Sequence, residues 1–207
     1  MANEGYTTLA NYAEFRYEEK RSVFIGEAAP VSGEEEALAF LARAKSRFPD
    51  ARHHVYAYLL RENAKNRYSD DHEPQGTAGM PVLDVIRKSG CTDTVIVVTR
   101  YFGGTLLGTG GLVRAYTAAA SGALHAAGVV TYRPFRRMTV ALSYSDHSKI
   151  TKELERRAVR VLDTLYGQDV LLTLCLPSEE ADGLLLALTE ETGGRATVTL
   201  LDEFLAY

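Results

Sequence analysis

A glycine-rich segment between Arg100 and Arg114 contains the residues of this chain that are best suited to chemistry. Five glycines lie between Gly103 and Gly111, directly after an apolar run. Glycine costs roughly 0.5–1 kcal/mol relative to alanine inside regular structure, so a dense run indicates a sharp turn or a close backbone approach. Main-chain N–H groups at a helix start bind anions, and arginine matches the geometry of phosphate. The predicted phosphate-binding residues are Arg100, Gly103, Gly104, Gly108, Thr109, Gly110, Gly111 and Arg114.

Standard nucleotide-binding motifs do not fit this segment. A P-loop requires Lys and then Ser or Thr after its last glycine, whereas Gly108 is followed by Thr109 and Gly110. A dinucleotide-binding fingerprint requires a third glycine where this chain has Val113. Two interpretations therefore stay open beside phosphate contact. The glycines could permit tight packing of a helix on a strand, or the segment could bind a protein.

An acidic sequence, Asp70-Asp-His-Glu-Pro-Gln-Gly-Thr-Ala-Gly79, is the second candidate for function. Carboxylates beside an imidazole are metal-ligand types. However, adjacent residues cannot all converge on one ion without a special turn, and neither HExxH nor EF-hand spacing is present. We therefore predict no metal. The alternatives are a helix cap, a solvated turn, or a loop that orients the glycine-rich segment. The loop candidates are Asp70, Asp71, Glu73 and Thr77.

Catalytic residues cannot be assigned from spacing. No Ser/His/Asp or Cys/His set can be assembled, and no cofactor is predicted. His53 and His54 are neighbours at a strand start, where side chains point to opposite faces, so they cannot jointly bind a metal. The sequence does not decide whether the chain is an enzyme, and it slightly favours a non-enzymatic role.

The composition is that of a globular protein of 207 residues with a formal net charge of −4. Basic residues slightly outnumber acidic ones before residue 138, and acidic residues predominate after it. An anionic partner is therefore expected at the N-terminal part. No apolar stretch reaches the ~18 residues that span a bilayer, no secretory signal is visible, and Cys91 and Cys175 lie far apart. We expect a cytoplasmic protein without a membrane partner.

The elements that must position these residues follow from periodicity and turn chemistry. Ser32 and Glu35 form a capping box that starts a helix, which Pro49 ends. Residues 61–80 have no convincing period. Strands are predicted over 22–31, 53–60 and 94–101, and further helices over 81–90 and 112–127.

The last third of the chain reads as a separate unit after a linker over 132–137. Strands are predicted over 138–144, 159–166, 170–176 and 195–205, and helices over 146–157 and 178–192. The order βαββαβ is the ferredoxin-like pattern. We therefore predict an α+β protein with two domains, 1–135 and 138–207.

Three segments together resemble the IMPACT family, whose bacterial branch is the YigZ group. They are Pro49–Tyr58, Asp70–Leu83, and Val97–Tyr116 with the glycine-rich segment at its centre. The family pattern commonly reads Asp-Asp-Gly-Glu-Pro, and this chain has His72 in place of that glycine. The resemblance covers nearly the whole chain.

The resemblance implies an N-terminal domain like domain 2 of a small-subunit ribosomal protein. It implies a C-terminal domain like domain V of elongation factor G. Both relatives touch RNA or the ribosome, and eukaryotic family members regulate translation by binding a ribosome-associated protein. Fold analogy alone is a weak guide to function.

We therefore predict a translation-associated regulator that binds RNA, the ribosome or a ribosome-associated protein through its glycine-rich face. No sequence-specific DNA binding is expected. One alternative is an enzyme or binder for a phosphorylated small molecule or nucleotide, and another is a protein-interaction module without a ligand. Basic residues expected to extend the phosphate contact are Arg61, Lys65, Arg67, Arg87 and Lys88.

Overall fold

The chain forms two compact units in the computed structural model, which describes residues 4–157 and 159–207. One unit is Tyr6–Thr131, and the other is Tyr132–Tyr207 together with Glu4 and Gly5. Both mix helices with a β-sheet, and the described residues hold five α-helices. The predicted α+β class is confirmed. No helix in these described ranges is long and apolar enough to cross a membrane.

The strands of the first unit are β1 Tyr6–Leu9, β2 Ala13–Glu19, β3 Ser22–Pro30, β4 His53–Leu59, β5 Asn66–Ser69 and β6 Thr94–Tyr101. The helices of this unit are α1 Glu34–Arg47, α2 Gly79–Ser89 and α3 Gly108–Ala127, after which β7 Val129–Leu142 begins. Five of the strands form an antiparallel sheet of order β2-β3-β6-β4-β5. The shorter strand β1 lies beside the start of β7, where the hydroxyls of Thr7 and Thr131 are 3.0 Å apart.

Strand β6 is the centre of this unit and is covered on both faces. Ile96 and Val98 pack into the core formed with α2 and α3. Val95 and Val97 pack on the other face, against Phe40 of α1 and its neighbours. Coverage on both faces explains why the strand is β-branched and apolar almost throughout, as the sequence predicted.

Helix α3 begins at Gly108, four residues before the predicted start. The second half of the glycine-rich segment is therefore its first helical turn. The capping box of α1 also differs from the prediction, because Glu36 accepts the Ser32 N–H (2.7 Å) and hydroxyl (2.8 Å). Glu35 had been expected in that role. Strands β2 and β5 had no counterpart in the sequence prediction.

The second unit has the predicted order of elements. After β7 come α4 Tyr144–Arg156, β8 Arg160–Tyr166, β9 Val170–Pro177, α5 Ala181–Thr192 and β10 Thr197–Ala206. The sheet order β8-β9-β7-β10, with antiparallel neighbours, is the ferredoxin-like arrangement. Its core includes Met138, Ile150, Leu174 and Leu184.

Two local predictions in the second unit are wrong. Residues 132–137 are not a linker, because they continue β7 and pair with β10, where the Phe135 and Phe204 rings stack 6.3 Å apart. Helix α4 begins at Tyr144, two residues before the predicted start at residue 146, and its cap is Ser143, whose hydroxyl accepts the Asp146 N–H at 3.2 Å.

Candidate functional site

A cleft of about 420 Å³ in the first unit brings the acidic loop and the glycine-rich segment together. We call it the α3 cleft. Glu73 and Pro74 line it from the loop, and Gly108 and Thr109 line it from the start of α3. The full lining is Arg52, His53, Glu73, Pro74, Arg100, Phe102, Leu106, Leu107, Gly108, Thr109 and Leu112.

The first glycines of the segment have structural roles. A Cβ at Gly103 would lie 2.1 Å from the carbonyl carbon of Arg21. The Gly103 N–H donates to the Ser22 hydroxyl at 3.1 Å. Gly104 and Gly108 have φ of +81° and +70°, the left-handed region that favours glycine. Gly103 therefore permits a close approach to the backbone at the start of β3, which is not the predicted packing of a helix on a strand.

The first turn of α3 begins with exposed residues. Gly108, Thr109 and Gly110 are exposed. The residue before the turn, Leu107, makes no side-chain cap hydrogen bond, and the turn contains no acidic residue. Gly111, the last glycine, is buried. Unpaired N–H groups and the helix dipole favour an anion at such a helix start.

Arg100 is buried rather than exposed to a ligand. It is 5% exposed, and its Nη1 donates to Glu73 Oε1 at 2.6 Å. Its guanidinium carbon lies 5.4 Å from the Phe24 ring and 5.6 Å from the Phe102 ring. Within the described residues its Nε has no hydrogen-bond partner. Arg100 lines the α3 cleft, but its guanidinium is paired with Glu73, so a direct phosphate contact stays a prediction.

Glu73 is the centre of a buried polar cluster. Besides Arg100, its Oε1 accepts the Tyr116 hydroxyl at 2.7 Å, and His53 Nε2 lies 3.9 Å away. Burial raises the pKa of Tyr116 well above its usual range, and the negative charge of Glu73 adds to the effect. The Glu73 carboxylate thus neutralises the charge of Arg100.

The other loop candidates hold the loop in place. The Asp70 carboxylate accepts the N–H groups of Gly76 (2.9 Å), Ala78 (3.1 Å) and Gly79 (2.8 Å), so it caps α2. Thr77 donates to the Pro74 carbonyl at 2.6 Å. These bonds favour the capping and orienting alternatives over a ligand contact.

Asp71 connects the loop to β4. Its carboxylate accepts the His54 N–H at 2.6 Å, and its carbonyl lies 2.8 Å from His53 Nδ1. Among the residues that the structure describes, no group of three His, Cys, Asp or Glu side chains is placed to hold a metal ion.

His72 has a φ of +71°. Glycine adopts this region without steric cost, whereas other residues do so uncommonly, with histidine among the better tolerated. The glycine common in the family pattern therefore meets a backbone requirement that His72 satisfies under strain.

Two exposed arginines carry positive charge in this part of the first unit. Arg52 lines the α3 cleft, whereas Arg114, nearly two turns into α3, is outside the lining, with its Nη1 3.6 Å from where a Gly110 Cβ would be. Sequence reasoning missed Arg52 and His53 as lining residues, although both fall within the Pro49–Tyr58 segment.

The other basic residues named from the sequence do not line the α3 cleft. Arg61 pairs with Asp93, and Lys65 and Arg67 pair with Glu34. Arg87 pairs with Asp84, and Lys88 lines a different cavity.

Comparison with known proteins identifies both halves of the chain. The family model described as "Impact N-terminal domain" matches residues 20–124, and "Domain of unknown function (DUF1949)" matches residues 140–195. "IMPACT family member YvyE" of Bacillus subtilis is 35% identical over 194 residues, covering 93% of this chain and 89% of its own. "IMPACT family member YigZ" of Escherichia coli is 33% identical over 187 residues, covering 89% of this chain and 92% of its own. A crystal structure of a hypothetical protein aligns over 96% of this chain and 98% of its own, with 32% identity and a TM-score of 0.60.

Proposed function

The chain belongs to the IMPACT family, and from that premise we propose that its first unit binds single-stranded RNA through the α3 cleft and acts in translation. One observation carries the proposal. The exposed, uncapped start of α3 and the exposed ring of Phe102 lie on the same cleft.

We expect an RNA phosphate to bind at the first turn of α3. Its N–H groups attract an anion, and Arg52 and Arg114 add full charges near it. Arg100 adds little net charge, because Glu73 pairs with it at 2.6 Å. Backbone contact is therefore assigned to the two exposed arginines.

In this proposal a base stacks on Phe102, a residue that is 46% exposed. Leu106, at 83% exposed, extends the apolar surface beside it. A base stacked on an aromatic ring contributes about 1–3 kcal/mol. The guanidinium carbon of Arg100 lies 5.6 Å from the centroid of the same ring. The cleft thus combines an anion-binding helix start with a surface on which a base can stack. A binding site for single-stranded RNA needs both.

The experiment is a fluorescence-anisotropy titration of a short single-stranded RNA over a series of salt concentrations. We expect the double variant Arg52→Gln/Arg114→Gln to bind more weakly and to lose about 0.7 of salt slope per arginine, since each neutralises one phosphate. Arg87→Gln, exposed but outside the cleft, is the matched control. Unchanged affinity and slope in the double variant would remove the proposed site.

A second candidate function is the binding of one phosphorylated small molecule. The observation that favours it is size, because about 420 Å³ falls within the roughly 300–1,000 Å³ of small-ligand sites. Mononucleotides that compete with RNA at micromolar concentration would favour this candidate. A ribosome association that survives nuclease and ignores the arginine variants would instead favour a protein partner.

A further inference from the structure

A second cavity, of about 340 Å³, contains a buried carboxylate on the face of the first sheet that α1 covers. We call it the Glu27 pocket. Glu27 of β3 and Arg43 of α1 supply its charges, together with Arg47, and Tyr12 and Phe40 supply its aromatic walls. The α3 cleft lies on the other face, so the two sites are separate.

Glu27 has one satisfied and one unsatisfied oxygen. Its side chain is 5% exposed, and Oε1 accepts the Tyr12 hydroxyl at 2.9 Å and Arg47 Nη1 at 2.7 Å. Oε2 is buried and has no hydrogen-bond partner within the described residues. A buried carboxylate oxygen without a donor costs free energy. A donor that enters the pocket would recover that free energy.

Arg43 is the complementary group. It is exposed, and among the described residues it makes no hydrogen bond or ion pair. Its guanidinium carbon lies 5.3 Å from the Phe40 ring centroid, and its interaction with Glu36 is a weaker electrostatic one. Arg47 differs, because Glu14 and Glu27 already satisfy it at 2.7 Å each. Arg43 is thus a cation available to a ligand, and Glu27 Oε2 is a buried acceptor that lacks a donor among the described residues.

These charges select the class of ligand. The two arginines repel a simple cation, and the buried Glu27 repels a simple anion. A zwitterion meets both groups without adding net charge. Ala29, Phe40 and Ala44 form an apolar lining, so the body of the ligand is apolar.

We propose that the Glu27 pocket binds a free α-amino acid with an apolar side chain. On binding, the Glu27 carboxylate turns so that Oε2 accepts from the ammonium of the amino acid. The carboxylate of the amino acid pairs with Arg43, and its side chain packs on Phe40. The volume of about 340 Å³ holds such a molecule with room to spare. This assignment does not rest on the RNA-binding proposal.

Calorimetric titration of the full chain with L-leucine tests the proposal. Isopentylamine, which is leucine without its carboxylate, and 4-methylpentanoate, which is leucine without its ammonium, are the matched probes. We expect leucine to bind more tightly than either by about tenfold, the loss expected when one charge-assisted contact is missing. Equal binding of leucine and isopentylamine would overturn the role of Arg43.

Two variants locate the site. Arg43→Gln changes an exposed side chain that makes no ion pair within the described residues, so the protein should remain folded, and we expect leucine affinity to fall about tenfold. Glu27→Gln should abolish binding, and its melting curve shows whether it folds. Lys45→Gln, on the same helix but outside the pocket, is the control. Absence of leucine binding at millimolar concentration means that only water satisfies Glu27, and it overturns the proposal, as does unchanged affinity in Arg43→Gln.

Discussion

Glu73 and Arg100 form a buried ion pair, with Oε1 and Nη1 2.6 Å apart and side-chain exposures of 4% and 7%. The two residues are 27 positions apart in the chain. One belongs to the acidic loop and the other to the end of β6. The pair therefore makes the two sequence segments a single structural unit beneath the α3 cleft.

Removing the charge of Glu73 should destabilise the first unit strongly. Glu73→Gln leaves Arg100 charged and buried without its counter-ion, a change that typically costs about 3–5 kcal/mol. Urea denaturation measures the free energy of unfolding. Asp84→Asn, a half-exposed carboxylate on α2, is the control and should cost less than about 1 kcal/mol. A loss as small as that in the control would mean that the buried pair does not hold the loop.

Substitution by alanine should have opposite effects on stability at two positions of the glycine-rich segment, Gly103 and Gly110. Gly103→Ala places a Cβ 2.1 Å from backbone, and a forced backbone shift costs about 1–3 kcal/mol or more. Gly110 is helical and open, with only the Arg114 side chain 3.6 Å away. Gly110→Ala should therefore raise stability by roughly 0.5–1 kcal/mol. Thermal melts of the two variants report both signs, and equal effects would contradict the structure.

The stability of variants at position 72 should follow how well each residue tolerates a positive φ. His72 has φ +71° and is exposed, so side-chain contacts contribute little. We expect His72→Gly to change the free energy of unfolding by less than about 1 kcal/mol, since relieved strain offsets the entropy of glycine. His72→Val should lower it by about 1–2 kcal/mol, because a β-branched residue is a true outlier there. Chemical denaturation of both variants gives the order, and a stable valine variant would refute it.

Phe102, the proposed stacking surface, should contribute to the affinity for single-stranded RNA, and this contribution should not depend on salt concentration. Phe102→Ala is expected to weaken binding of single-stranded RNA by about 1–3 kcal/mol, the contribution of one stacked base. The slope of affinity against salt should not change, because no phosphate contact is lost. Tyr166→Ala, an exposed tyrosine of the second unit, is the matched control. Equal losses in the two variants would show that RNA does not use the α3 cleft.

Protonation of Asp146 in acid should destabilise the second unit. Hydrogen bonds from Arg195 above all, and then from Ser143, lower the pKa of Asp146 to about 2 from an ordinary 3.8. The folded state therefore holds the ionised form more tightly than the unfolded state does. The resulting stabilisation is complete above pH 3.8 and is lost as the pH falls toward 2.

Asp146→Asn tests this assignment. The variant should lose stability at pH 6 and show a shallower decline between pH about 4 and 2. Some decline should remain, since the pKa of Glu153 is also lowered to about 2, by Arg156 first. Asp169→Asn, on the turn between β8 and β9, is the control. An acid profile that is unchanged in Asp146→Asn would contradict the assignment.

The central elements of both units could be predicted from sequence because each has one dominant pattern. β6 is apolar on both faces, and the second unit has turn residues between clear periods. Strand β2 could not be found, because Glu14, Arg16, Glu18 and Glu19 make it look like a solvated segment. The start of α3 was missed because Gly108, Gly110 and Gly111 have low helix propensity, which tertiary packing overrides.

The candidate site could be located from the sequence, but which of its charges are buried and paired could not be predicted. The glycine-rich segment and the acidic loop were identified by type and spacing, and both line one cleft. Whether Arg100 faces solvent or Glu73 depends on a contact 27 residues away, which no local pattern contains. Glu27, a lone acid in an apolar strand, was visible in the sequence, but its unpaired oxygen was not.

The starts of α2 and α3 differ in a way that affects how this protein should be handled. Asp70 accepts the N–H groups of Ala78 and Gly79 at the start of α2, whereas Leu107, before α3, offers no acceptor and the first turn of α3 contains no acidic residue. A bound anion would act there as a removable cap, and anything that binds only the folded state raises its apparent stability. Phosphate and sulfate buffers should therefore raise the melting temperature above that in a buffer with a weakly binding anion. Stabilities measured in different buffers would not refer to the same molecular species.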